Sequence, residues 1–260
     1  MPSLTEFLGH IFSTSVDVAA LAVLLVFLPL LIVLTVRAQG GKRFPLRPIP
    51  VYEKLRQLVS YATESGRPIH VALGVGPLGG EATPDVVMGL TVFDYVARHA
   101  AACDQPVCGS AGDPTLLAAA QGLLHTAKEE AGFLERTPGQ AVHFYGPDPL
   151  AYAAGASHLL GVENQPANVL LGRFGAEGLW LAEAMASQGS AQLGGTTDPA
   201  AMPLLTAALD EVVIGEEVYA AGAYLHRPSH LGSLAAQDIM RIIILLTIVI
   251  GVILTTWGYW

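Results

Sequence analysis

The run Gly74-Val75-Gly76-Pro77-Leu78-Gly79-Gly80 spells G-x-G-x-x-G directly after a strand-like apolar stretch. In a dinucleotide site this spacing lets a pyrophosphate approach bare backbone amides at a helix N-terminus. Here Pro77 removes one of those amides, and the following helix is expected to begin only near Thr83–Asp85. The acidic residue that should grip the ribose about 20 residues further on is missing, because Asp113 stands 34 residues beyond Gly79 (113 − 79). A rim loop that binds no phosphate is the competing reading. No G-x-x-x-x-G-K-[ST] run is present.

Asp113-Pro114, Asp148-Pro149 and Asp198-Pro199 form a second set of candidates. Asp at an N-cap accepts from orphan amides, and Pro at the first helical position has no amide to lose. Thr83-Pro84 resembles them, with Asp85 close enough to compete as the cap. Capping accounts for each pair. Three carboxylates on one rim could also hold a cation or a hydroxylated ligand, and the two roles are compatible. The rim candidates are therefore Gly74, Gly76, Gly79, Gly80, Asp113, Asp148 and Asp198.

Other groups carry less chemistry. Pro228 prevents His226 and His230 from sharing one face of an unbroken helix, so an i, i+4 metal pair is not formed. Cys103 and Cys108 lack the second pair of a zinc site and read as structural thiols. Glu216 and Glu217 suit the positive end of a helix start. No G-x-S-x-G nucleophile elbow occurs. No cofactor or metal is expected, no residue is assigned a catalytic role, and the balance leans away from an enzyme.

Alternating elements must position the rim. After an amphipathic helix over 52–64, strand-like runs at 69–75, 106–111, 141–145, 168–171 and 191–194 each precede a helical stretch, and 211–214 can add a sixth strand. Short apolar strands joined by helices of ten or more residues mean βαβ units. The expected fold is α/β: a mostly parallel, Rossmann-like sheet of five or six strands covered by helices. The Asp-Pro turns then share the carboxyl rim, where open α/β sheets bind ligands.

Two apolar runs flank this domain. Val18–Val36 carries no charge, and Ile242–Trp257 is a second uncharged stretch. A bilayer core about 30 Å thick needs about 20 helical residues, so both can span it. The expected layout is an outer segment 1–17, a transmembrane helix 18–36, a basic and Pro-rich linker 37–50, an α/β domain 51–238 and a second transmembrane helix 239–260. Arg37, Lys42, Arg43 and Arg47 follow the first span, and Arg241 opens the second. Positive flanks favour the cytoplasmic side, which puts the domain inside a bacterial cytoplasmic membrane and both termini outside. Trp257, Tyr259 and Trp260 would anchor the outer interface. A cleaved signal peptide is the competing reading, but Met1–Asp17 lacks its basic n-region. Ser3-Leu4-Thr5-Glu6 has capping-box spacing and could open a short interfacial helix. No breaker separates Ser233–Asp238 from the second span, so one helix should run through both.

Residues 48–238 carry eight Lys/Arg against twenty Asp/Glu, a surface that repels phosphate backbones and argues against nucleic acid. The spans hold no ionisable group beyond Arg241 at the mouth of the second, unlike a transport path. The expected partners are the lipid bilayer and either further copies or other membrane subunits, with a small-molecule ligand as an open option.

Leu46-Arg-Pro-Ile-Pro50, Glu64-Ser-Gly-Arg-Pro68, Gly112-Asp-Pro-Thr-Leu116, Pro147–Ala156, Ile214-Gly-Glu-Glu217 and Ala220–Leu225 together resemble an uncharacterised bacterial family of membrane-anchored domains, mainly of green non-sulfur bacteria. The resemblance covers about residues 46–238. It implies a membrane-anchored bacterial protein and carries over no site residue. The expected function is a membrane-bound, non-catalytic subunit or scaffold that assembles into an oligomer or complex. The alternative is an enzyme or sensor that binds a nucleotide or small molecule at the strand-end rim.

Overall fold

The computed structural model of the chain describes residues 15–40, 47–133, 141–162, 165–225 and 228–257. The chain divides into two units. The α/β unit runs from Arg47 to Leu225, and the other unit is built on the two long apolar helices.

In chain order the α/β unit contains α2 (Pro50–Ser65), β1 (His70–Gly74), α3 (Thr83–Ala102), β2 (Cys108–Ala111), α4 (Pro114–Ala131), β3 (Val142–Phe144), α5 (Pro149–Val162), β4 (Ala167–Arg173), α6 (Glu177–Ser187), β5 (Ala191–Thr196), α7 (Met202–Ala208), β6 (Glu211–Ile214), a 3₁₀ turn (Gly215–Ala220) and α8 (Ala221–Tyr224). The six strands form one all-parallel sheet in the order β3-β2-β1-β4-β5-β6. Parallel strands need crossovers, and right-handed crossovers fix their side. Strands β1 to β3 step one way and β4 to β6 the other, so the helices divide between the faces. Helix α3 packs on α2 and α4, and α6 packs on α5 and α7.

Burial follows from this arrangement. Strand β1 is buried at every position, and β4 at all but Arg173. Strands covered on both faces read as near-continuous apolar runs, which is how 69–75 and 168–171 read in the sequence. Under α5 and α6 the core gathers Tyr152, Leu160, Leu170, Phe174, Leu181, Met185 and Leu205. Helix α7 begins at Met202, not at Pro199 as the Asp-Pro spacing suggests, because residues 199–201 form a separate turn on the Asp198 carbonyl.

The second unit pairs α1 (Ser15–Gln39) with α9 (Pro228–Thr256). Helix α9 runs unbroken from the Ser233–Asp238 segment through the second apolar stretch. The two helices meet where Gly232 faces Leu34 and Thr35, and a Cβ at 232 would run into Thr35 backbone. Close approach through a small residue is how apolar helices gain packing without a hydrophobic driving force. Leu34, Ala38, Ala236 and Met240 are buried, while the remaining large apolar residues of both stretches are mostly exposed. The expected interfacial helix near Ser3–Phe12, together with Lys42, Arg43, His226, Arg227, Tyr259 and Trp260, lies outside the described residues.

Candidate functional site at the carboxyl rim

Strand order reverses between β1 and β4, and the crevice outside their carboxyl ends is where a sheet of this topology offers a ligand site. The three Asp-Pro turns all lie on that rim, and each aspartate caps its turn. Asp113 Oδ1 accepts from the Thr115 amide at 2.8 Å and the Leu116 amide at 3.4 Å. Asp148 Oδ1 accepts from the amides of Leu150 at 3.0 Å and Ala151 at 2.9 Å, and Asp198 Oδ1 from Ala200 at 2.9 Å. The strand order places Asp148 and Asp113 on one side of the crevice and Asp198 on the other. Strands β2 and β5 are three steps apart, about 14 Å at 4.8 Å per strand. Among the described residues no cluster of three His, Cys, Asp or Glu side chains could hold a metal.

The Gly74 loop sits beside Asp113, through a 2.8 Å bond from the Gly112 amide to the Gly74 carbonyl. Gly74 has φ +81° and presses so close to β4 that a Cβ would strike the Arg173 carbonyl. Only glycine meets both demands at low cost. The loop's amides are largely engaged. Gly74 N–H donates to the Tyr152 hydroxyl at 3.3 Å and Val75 to the Arg173 carbonyl at 3.3 Å. Leu78 donates to Thr115 Oγ1 at 3.2 Å, and Gly79 to Thr83 Oγ1 at 2.9 Å. At Gly76 a side chain would meet the Cβ of Arg173 at 2.7 Å and a methyl of Val86 at 2.9 Å, so the position needs glycine. Gly79 and Gly80 face open space.

The other half of the rim is organised by Asp85. Its carboxylate is buried near the start of α3 and does not cap the helix. Oδ1 accepts from Thr197 Oγ1 and from the Tyr219 hydroxyl, both at 2.8 Å, and Oδ2 pairs with Arg173 at 3.3 Å. One carboxylate thus ties together α3, the end of β4, the turn after β5 and the 3₁₀ turn after β6. Burial first, and then Asp85 beside it, raises the Tyr219 phenol above its usual range. The spacing Thr83-Pro84-Asp85 hid this role behind capping. The usable signal was Arg173, a cation closing an otherwise apolar strand that needs a carboxylate across the crevice.

The sequence model of one family, described as a domain of unknown function (DUF6754), matches residues 9–259. The chain belongs to this family. No curated protein and no solved structure matches it. The DUF6754 match runs through both long apolar helices as well as the sheet, so the unit that defines the family includes all of them.

Away from the rim, this DUF6754 member uses Arg47 inside its α/β unit, where it forms an ion pair with Glu217. The Tyr224 hydroxyl donates to the Arg47 carbonyl. Tyr52 stacks on Tyr224 with ring centroids 5.2 Å apart, and its hydroxyl reaches the carbonyls of Glu217 at 2.9 Å and Val218 at 3.0 Å. This cluster closes the start of the unit onto its end. Burial raises the Tyr52 phenol far above its usual range. Arg37 is exposed on α1 and Trp257 just beyond the end of α9, and Arg241 lies within α9 beside Asp238 at 3.6 Å. Cys108 is buried in β2 and Cys103 is exposed just after α3.

Proposed function

We propose that this protein is a membrane-anchored, non-catalytic subunit or scaffold whose cytoplasmic α/β domain assembles into a homo-oligomer or a larger membrane complex. One observation carries the reading. Each long helix contains a stretch apolar and long enough to span a bilayer, yet only 6% of each such stretch is buried. A core helix of a soluble domain would be covered by its own protein, which favours lipid or other helices as the cover for these. The rim favours a non-catalytic role, since Asp113 and Asp148 cap helices, Asp198 closes a turn, and four amides of the glycine loop are bonded internally. Leu150, Leu179 and Trp180 are exposed at the starts of α5 and α6, which gives the domain apolar surface for a neighbour.

The second reading is a small-molecule sensor or enzyme, favoured by one observation, the order β3-β2-β1-β4-β5-β6 with its switch point at β1/β4. Asp113→Asn with Asp148→Asn separates the two. Asn caps a helix about as well as Asp, so the change removes charge and keeps the fold. The scaffold reading expects unchanged assembly on native gels and no change in bound small molecules. Loss of a bound nucleotide or cation from the double variant would establish the sensor reading instead.

A further inference from the structure

A buried polar chain crosses the core of the sheet on the face covered by α5 and α6. His70 Nε2 lies 2.9 Å from Ser110 Oγ, and Ser110 Oγ lies 2.8 Å from the Tyr152 hydroxyl, which accepts from Gly74 N–H. On the far side, Asn168 Nδ2 donates to Ser190 Oγ at 2.6 Å, and Ser190 donates to the Met185 carbonyl at 3.3 Å. His70, Ser110, Tyr152 and Asn168 are all within 1% of complete burial. Between the two segments stand two buried atoms, His70 Nδ1 and Asn168 Oδ1, for which no hydrogen bond of ordinary geometry is formed among the described residues. They belong to register partners in β1 and β4, whose side chains share one face of the sheet.

We infer that these groups form one hydrogen-bond chain of fixed direction, in which His70 is neutral and carries its proton on Nδ1 toward Asn168. The protons then order themselves. Gly74 N–H gives to Tyr152, Tyr152 O–H to Ser110, and Ser110 O–H to the Nε2 lone pair. Nδ1–H gives to Asn168 Oδ1, directly or through one water, and Asn168 N–H passes on to Ser190 and the Met185 carbonyl. A single tautomer satisfies both orphaned atoms, as buried polar groups require. The reverse direction needs the Asn168 amide turned over, takes the Ser190 proton away from Met185, and leaves Tyr152 donating to the Ser110 carbonyl at 3.4 Å instead of to the hydroxyl at 2.8 Å. The chain fixes His70 as a positioning residue, linked through Ser110 and Tyr152 to the first amide of the rim loop. With no exposure at either residue, Ser110 and His70 serve this link and not a nucleophilic reaction.

The test is solid-state NMR of the full-length, 15N-histidine-labelled protein in lipid bilayers, with Asn168→Asp measured beside it. The His70 imidazole should show a pyrrole-type, protonated Nδ1 and a pyridine-type Nε2. An acceptor-only Asp at 168 should keep the same tautomer, since Nδ1–H already points at it. A proton on Nε2 in the natural protein overturns the inference, as does a tautomer that switches in Asn168→Asp. Should that variant not fold, the tautomer of the natural protein decides alone.

Discussion

At the scale of single residues, His70 has the clearest consequence for stability. Burial first, and then the nearby His143, pull its imidazole from 6.5 down to about 3, the Asn168 carboxamide offsetting part of the shift. The unfolded chain therefore binds a proton between about pH 6.5 and pH 3 that the folded chain refuses. The stability this neutral group confers is complete above pH 6.5 and is lost as pH falls toward 3. At 1.36 kcal/mol per pH unit, the loss between pH 7.5 and pH 5 is about 2 kcal/mol. Urea unfolding of the full protein in detergent at those two pH values should show it, and His70→Gln should flatten the dependence. Little of this was legible in the sequence, where His70 is one polar residue at the mouth of an apolar strand. Its partners Ser110, Tyr152 and Asn168 come from three other elements, and only the strand order brings them together. The capping roles of Asp113 and Asp148 were legible, because an N-cap needs nothing beyond the next three residues, whereas Asp198 closes a separate turn ahead of α7 instead of capping it.

At the scale of elements, the βαβ alternation could be read because the central strands β1, β2 and β4 are buried almost throughout and α2 to α5 each carry Pro in the first turn. The pairing order could not, since parallel neighbours are set by crossovers and not by local sequence. Asp85 was misjudged for the same reason. Its partners Arg173, Thr197 and Tyr219 lie at the end of β4 and just after β5 and β6, which become neighbours only in the folded sheet. Among the helices, α1 and α9 depend on one close approach. Gly232→Leu would drive a branched side chain into the backbone of Leu34 and Thr35, and the helices must separate to admit it. Overpacking of this kind costs roughly 1–3 kcal/mol. The expected outcome is a lower melting temperature of the detergent-solubilised protein, whereas Gly251→Leu, which meets open space, should leave it unchanged.

At the scale of the whole molecule, the proposed cytoplasmic placement of the α/β domain rests on the basic residues after the first apolar stretch. The chain carries its own probe for this. Cys103 is exposed and Cys108 buried, so a thiol reagent reports on one site. A membrane-impermeant maleimide should label Cys103 in inverted membrane vesicles and leave it unlabelled in intact cells. Assembly is the larger claim. Two helices whose apolar surfaces are nearly all uncovered can be satisfied by lipid alone, so the proposed assembly needs a test of its own. The most direct measurement is native mass spectrometry of the protein released gently from its own membranes. A homo-oligomer or a complex with other subunits, carrying no added small-molecule mass, is the predicted result. A lone chain carrying a stoichiometric adduct of nucleotide or metal mass would contradict it and return the strand-end rim to the centre of the protein's function.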